Sequence, residues 1–145
     1  MLRLSRLALV LLLSATTAAC GGGNTPTGPD PTGSAPFQVV DIRIGTGTEA
    51  TSGRTVTVAY VGWLYSNTAP ENKGQRFDGG VLPPFQLGTR RVIEGWDRGI
   101  LGMRVGGQRR LVIPPELAYG STTPDASRIP PNATLVFDVE LQNVQ

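Results

Sequence analysis

Residues 90–100 read RRVIEGWDRGI and hold the helical pattern of a chain that is otherwise rich in strand patterns. The apolar side chains recur at the spacing of one helix face, at Val92, Ile93, Trp96 and Ile100. Gly95 and Gly99 weaken this helix, because a glycine inside a helix costs about 1 kcal/mol relative to alanine. We predict a short helix that ends near Met103 and carries a large indole for a reason other than helix stability.

Five strand patterns surround this helix, three before it and two after it: 39–44, 54–65, 83–88, 109–115 and 133–144. The last of them alternates apolar and polar residues, as a half-buried antiparallel strand does. Two polar segments, 66–75 and 116–132, are predicted to be connections. Strands before and after one helix predict an α+β domain, in which an antiparallel sheet is covered by a single helix.

The first nineteen residues have the composition of a secretory signal peptide. Arg3 and Arg6 precede an apolar run that is too short to span a membrane, and small residues precede Cys20. We therefore predict that residues 1–19 direct export and are then removed. Removal of the two arginines leaves eleven basic and eleven acidic residues, and a chain without net charge is not expected to bind nucleic acid.

Cys20 is the only cysteine, so no disulfide can form within the chain. Its position directly after Thr-Ala-Ala resembles the lipobox of bacterial lipoproteins, in which this cysteine is acylated and becomes the new N-terminus. The alternative is ordinary cleavage after Ala19, which would leave a free thiol. By the same resemblance, Gly21 favours delivery to the outer membrane, so the protein is expected to be lipid-anchored to the cell envelope, and otherwise periplasmic or secreted.

Residues 20–36 follow the signal peptide and contain no large apolar side chain. Such a segment buries too little surface to offset the entropy of ordering it, so we expect a flexible tether rich in Gly, Pro and Thr. The folded domain is predicted to occupy residues 37–145. The absence of histidine excludes His-based catalytic triads and the common zinc sites.

Five motifs occur together and in a fixed order in the predicted domain: VAYVGWLY (58–65), RFDGG (76–80), PFQLG (84–88), VIEGWDRGILGMRVGGQRRLVIPPELAYG (92–120) and IPPNATLVFDVELQNV (129–144). They resemble the FKBP-type peptidyl-prolyl cis–trans isomerases over roughly residues 40–144. The resemblance implies an antiparallel five- to six-stranded sheet wrapped around one short helix. It also implies an active site in the hollow between the sheet and the helix.

The resemblance also assigns roles to residues of this chain. The indole of Trp96 would form the pocket floor, and the backbone N–H of Ile93 would donate to a substrate carbonyl. Asp78 would be the one buried carboxylate, and the Tyr119 hydroxyl would hold the peptide. The aromatic walls would be Tyr60, Phe77 and Phe137. Substrate-binding residues would be Val92, Ile129 and Phe85, although Phe85 could instead belong to the core. Asp97 and Arg98 are expected to be solvated helix charges.

The implied function is peptidyl-prolyl cis–trans isomerisation, which needs no nucleophile, metal or cofactor. The expected partners are proline-containing peptides, unfolded exported proteins and macrolide inhibitors of this family, with the protein as a monomer. One alternative is a non-catalytic peptide-binding or chaperone module with the same fold. Another is a lipid-anchored surface protein that engages a partner through the long loop at 65–76.

Overall fold

The computed structural model describes residues 33–145. These residues form six strands: β1 Gln38–Arg43, β2 Thr55–Tyr65, β3 Lys73–Val81, β4 Phe85–Gln86, β5 Gln108–Ile113 and β6 Leu135–Val144. One α-helix, α1, spans Glu94–Gly99, and single turns of 3-10 helix lie at Pro70–Asn72 and Pro115–Leu117. Among the described residues, no helix has the length and apolarity needed to cross a membrane.

All strand pairings are antiparallel, and the strand order is β1-β5-β6-β2-β3, with the short β4 paired to the start of β2. Strand β6 lies at the centre, and its alternation is as predicted except at Val136, which is buried on the outer face of the sheet. Its residues Leu135, Phe137, Val139 and Leu141 are buried in the main core. The prediction of an α+β fold with an antiparallel sheet of five to six strands and one short helix is confirmed, and the sheet has six strands.

The two glycines of α1 allow the helix to lie directly on β5. A Cβ atom added to Gly95 would overlap the side chain of Ile113, and one added to Gly99 would overlap Leu111. Larger residues at these positions would push the helix away from the sheet. The glycines therefore lower the helix propensity but allow close packing of the helix on the sheet. This packing leaves Trp96 between the helix and the sheet with only 3% of its surface exposed.

The helix is shorter than the sequence pattern predicted. It begins at Glu94 and ends at Gly99, before the predicted end near Met103. Ile93 is its N-cap with an extended ψ of 146°, so the segment 90–93 belongs to the preceding turn. Arg90 in that turn has a φ of 58°, in the left-handed region that a regular helix excludes. The apolar spacing extended into this turn because its side chains also face the core.

Strand β3 was not predicted as a strand. Its residues Lys73–Val81 read KGQRFDGGV, and the polar composition placed the first of them in the 66–75 connection. Glycine and polar residues are rare in strands, but β3 is an edge strand whose pairing with β2 stabilises it. The long 116–132 connection was predicted correctly as irregular, apart from the short turn at its start.

The outer face of the sheet carries an ion-pair network that includes the long loop after β2. The Asp138 carboxylate pairs with Arg110 at 2.7 Å and with Lys73 at 2.7 Å. Glu71, which has a φ of 56°, pairs with the same two cations. Lys73 also lies 4.5 Å above the ring of Trp63. The network fastens the loop to the sheet, so its charges already have partners within the domain.

The tether prediction meets the structure only at its last four residues. Ala35 is 7% exposed and packs against Val112 and Val136 on the outer face of the sheet, so the ordered domain begins before Phe37. The composition predicted that Ala35 is solvated, but its contact with the sheet buries it. The predicted signal peptide, Cys20 and tether residues up to 32 lie outside the described residues.

Candidate active site

A cleft of about 570 Å³ opens between the start of α1 and the sheet. Nine of the ten residues predicted to act or to bind substrate line it: Tyr60, Phe77, Asp78, Val92, Ile93, Trp96, Tyr119, Ile129 and Phe137. These residues come from β2, β3, α1, β6 and the loops between them. The fold therefore assembles one site from positions that are far apart in the sequence.

Aromatic rings surround the indole of Trp96 in edge-to-face contacts. The centroid of Tyr60 lies 5.1 Å from that of Trp96, and the centroid of Phe137 lies 5.3 Å away at an interplanar angle of 89°. Phe77 meets Phe137 at 5.6 Å, also at 89°. Such contacts favour fixed ring orientations. The result is a rigid apolar bowl whose shape suits a flat or puckered apolar ring.

Gly62 gives two of these rings the space they occupy. A Cβ atom at Gly62 would lie 2.7 Å from Phe77 and 2.8 Å from Phe137. Because Gly62 lies on β2 opposite both Asp78 of β3 and Phe137 of β6, it has rings from both neighbouring strands above it. A side chain here would displace the walls of the cleft.

Phe85 does not line the cleft, so its prediction as a substrate-binding residue is wrong. It is 7% exposed and belongs to the main core, where its ring centroid lies 6.3 Å from that of Trp96. Phe85 on β4 thus supports the floor of the site without reaching it. The alternative that the sequence left open, a core residue, is the one that the structure supports.

Asp78 lies in the site but is exposed, so the prediction of a buried carboxylate is wrong. Its Oδ2 accepts a hydrogen bond of 2.7 Å from the Tyr60 hydroxyl, and its Oδ1 accepts one of 2.8 Å from the N–H of Gly79. Burial, followed by this hydrogen bond and the charge of Asp78, raises the pKa of Tyr60 to about 12. Tyr60 is therefore a fixed donor, and the pair orients one wall of the cleft.

Two polar groups of the cleft keep their hydrogen-bonding capacity. Among the described residues, none accepts a hydrogen bond from the N–H of Ile93, which precedes the first turn of α1. The Tyr119 hydroxyl likewise has no hydrogen-bond partner among residues 33–145. Burial raises the pKa of Tyr119, so its neutral form is favoured. A peptide in the cleft would find two donors beside an apolar floor.

Asp97 has a role that the sequence analysis missed. It is 8% exposed, and its carboxylate accepts hydrogen bonds from the N–H groups of Gly88 at 2.9 Å and Arg90 at 3.0 Å. The carboxylate thus fixes the turn that leads into Ile93. Its partners lie nine and seven positions earlier in the chain, so no local pattern distinguishes Asp97 from a solvated helix charge. Arg98 is exposed and pairs with Glu94, as expected of such a charge.

The sequence analysis also missed several residues on the rim of the cleft. They are Leu82, Arg90, Arg91, Pro124, Asp125 and Arg128. These residues lie in the connections before β4, before α1 and before β6, whose paths depend on tertiary contacts. Nothing in their spacing connects them to the aromatic floor.

The fold and the cleft together define a class of protein: a small α+β domain with an aromatic bowl between sheet and helix and hydrogen-bond donors at the edge of the bowl. The chain belongs to the FKBP-type peptidyl-prolyl cis-trans isomerase family, whose sequence model matches residues 46–142.

Individual relatives agree with this membership. The chain is 47% identical over 107 residues to FK506-binding protein 4 of Dictyostelium discoideum, and the match covers 72% of this chain and 27% of that protein. It is 42% identical over 111 residues to an FK506-binding protein of Streptomyces anulatus, with coverage of 74% and 85%. A solved peptidyl-prolyl cis-trans isomerase from Pseudomonas syringae pv. tomato has a TM-score of 0.60 and 35% identity, with 75% of each chain covered.

The larger relatives contain much more than this domain, since the chain spans only 27% of the Dictyostelium protein. What such proteins do as a whole is therefore not transferred to this chain. Family membership rests on the segment that the relatives share, which contains the cleft.

Proposed function

We propose that the domain accelerates the cis–trans isomerisation of X–Pro bonds in peptides and unfolded proteins. The observation that carries this proposal is the aromatic bowl around Trp96, with the N–H of Ile93 at its edge and no acceptor for that N–H among residues 33–145. A prolyl ring would lie on the indole, and the neighbouring carbonyl would accept a hydrogen bond from Ile93.

The reaction consists of rotation about one bond and requires no proton transfer. Amide resonance opposes this rotation with a barrier of about 18–20 kcal/mol. Twisting the bond removes the resonance and makes the carbonyl less polar, so an apolar cleft stabilises the twisted form relative to the planar, better solvated form. Differential stabilisation of about 4 kcal/mol would accelerate the reaction about a thousandfold.

Hydrogen bonds at the rim would select the peptide conformation in which twisting is easiest. Ile93 N–H and the Tyr119 hydroxyl would hold carbonyls on either side of the prolyl ring. The Tyr60–Asp78 pair would keep the wall of the bowl in place during the rotation. The binding energy of these contacts would hold the reacting bond in an orientation that favours its rotation.

A protease-coupled assay on a short X–Pro peptide separates this enzyme from a non-catalytic module with the same fold. The full chain is expected to raise the rate of cis-to-trans conversion in proportion to its concentration. A folded protein that binds the peptide but leaves the uncatalysed rate unchanged would favour the binding module. A macrolide of the FK506 class is expected to compete with the peptide for the cleft.

We further propose that the protein is exported and anchored to the cell envelope through acylation of Cys20, with exported proteins as its clients and the monomer as its working form. More than one acyl chain is needed for lasting attachment, and the acylated cysteine of lipoproteins meets this condition. Cys20→Ser is expected to release the protein from membranes or leave it as an uncleaved precursor. Mass spectrometry of the mature N-terminus decides the matter, because an unmodified Cys20 would contradict the proposal.

A further inference from the structure

The rim of the cleft beside the helix N-terminus carries two arginines. Arg90 and Arg91 both line the cleft, and both are exposed. Within residues 33–145, neither guanidinium forms an ion pair with a carboxylate. Two adjacent cations thus remain available on the edge from which a peptide would enter.

The other charged groups of the cleft already have partners. Arg128 pairs with Asp125 at 3.4 Å, and the Asp125 carboxylate also accepts a hydrogen bond of 2.6 Å from the Ser127 hydroxyl. The Asp78 carboxylate is engaged by Tyr60 and by its neighbouring N–H. The donors to Asp78 are neutral, so its negative charge remains, and with Arg128 paired to Asp125 the lining keeps a net positive charge that comes from Arg90 and Arg91.

This cationic edge has a defined position relative to the bowl. The buried carboxylate of Asp97 holds the N–H of Arg90 at 3.0 Å, and the backbone of Arg90 adopts a φ of 58°. Arg91 lies two residues before Ile93, whose N–H has no acceptor among the described residues. A peptide whose carbonyl is bound at Ile93 would therefore pass its neighbouring side chains along Arg90 and Arg91.

We propose that Arg90 and Arg91 form a subsite for an acidic side chain, Asp or Glu, within a few positions of the substrate proline. The inference rests on the proposed function, because it assumes that the proline lies on Trp96. Arginine suits this task, since its planar fork binds a carboxylate through two parallel hydrogen bonds. The domain would accordingly prefer acidic segments around proline to basic ones.

The expected effect is modest, because the arginines are exposed to solvent. Exposed ion pairs are weak, so we expect kcat/KM for a peptide with a glutamate near the proline to exceed that for the lysine peptide by about threefold to tenfold at low salt. The ratio should fall toward one at about 0.5 M NaCl, because salt screens exposed charges. A neutral peptide should lie between the two.

The test compares three X–Pro peptides that carry glutamate, alanine or lysine before the X residue, and three that carry them after the proline. The full chain is assayed by NMR exchange, which needs no coupling protease with its own charge preference. Arg90→Glu/Arg91→Glu is expected to invert the glutamate-to-lysine ratio, and the milder Arg91→Gln to reduce it. Arg54→Gln changes the net charge as much as Arg91→Gln does but lies away from the cleft, so the ratio should not change.

A glutamate-to-lysine ratio near one in the natural chain for both sets of peptides would overturn the proposal. A preference that persists unchanged in the folded double variant would do the same. If no peptide is isomerised, the proposed function fails separately. NMR titration then measures the affinity of the folded protein for the same peptides. A glutamate-to-lysine affinity ratio of about threefold to tenfold supports the subsite, and a ratio near one overturns it.

Discussion

Phe77 and Phe85 illustrate at the scale of single residues how one side chain type serves two tasks. Phe77 stands at the wall of the cleft and is only partly buried, whereas Phe85 fills the core behind Trp96. They are eight positions apart in the sequence, and composition alone would place both in the core. Position relative to the indole distinguishes them.

We expect Phe77→Leu to lower kcat/KM by about threefold to tenfold, since this ring lines the cleft and an aromatic contact with the substrate is worth ~0.5–1.5 kcal/mol. The loss of stability should be smaller than for a core ring, because Phe77 is only partly buried. The matched variant Phe85→Leu should do the reverse, with a loss of about 1 kcal/mol in the free energy of unfolding and nearly normal activity per folded molecule. Urea unfolding and isomerase assays on both proteins check this. Parallel losses in the two variants would mean that Phe77 is simply a core residue.

Tyr60 should titrate unusually late. Because the folded state raises its pKa from 10.0 to about 12, the folded protein retains this proton where the unfolded chain loses it. The contribution to stability is fully present below about pH 10 and is lost as the pH rises toward 12. Tyr60→Phe should remove this part of the alkaline stability loss. Tyrosinate absorbance should rise for Tyr60 only near pH 12, and a normal titration would contradict the assigned hydrogen bond to Asp78.

At the scale of elements, the turn before α1 depends on one carboxylate. Asp97→Asn leaves an amide that can accept from only one of its two N–H partners, Gly88 and Arg90. We expect a loss of about 1–3 kcal/mol in the free energy of unfolding, because a buried donor is left unsatisfied. KM should also rise, since the turn positions Ile93. Arg98→Gln, which changes an exposed charge on the same helix, is the control and should have little effect on either quantity.

The network on the outer face should make stability sensitive to acid. Burial alone would raise the pKa of Asp138, but Arg110 and Lys73 outweigh it, so the pKa lies below its ordinary value of 3.8. The stabilisation is therefore present above about pH 4 and is lost as the pH falls through the lowered pKa. Asp138→Asn should lower stability near neutral pH by about 1–3 kcal/mol. The urea-unfolding curves of the two proteins should converge at low pH, and a constant difference would contradict this account.

At the scale of the whole molecule, an element could be predicted from the sequence where its pattern lies within one segment of the chain or where a motif contains that segment. The alternation in β6 and the glycine-flanked Trp96 indicated an antiparallel sheet and one short helix, and both are present. Strand β3 was missed because its stability comes from pairing with β2 and not from its own composition. The start of α1 was misplaced because apolar residues of the preceding turn continue the helical spacing.

The limits of prediction at the site have the same physical origin. The motifs located the aromatic bowl, but they could not reveal that Asp78 is exposed or that Asp97 is buried. Both depend on contacts with distant segments. The rim arginines were missed for the same reason, since only the folded turn brings them to the cleft.

The central claim is that the aromatic bowl accelerates rotation about an X–Pro bond. NMR exchange spectroscopy on a neutral X–Pro peptide measures this rotation at equilibrium, without a coupling protease. With a small amount of the full chain present, exchange peaks between the cis and trans forms should appear within a second, whereas the uncatalysed reaction takes on the order of tens to hundreds of seconds. Exchange that stays at the uncatalysed rate, with the protein folded and the peptide bound, would contradict the claim.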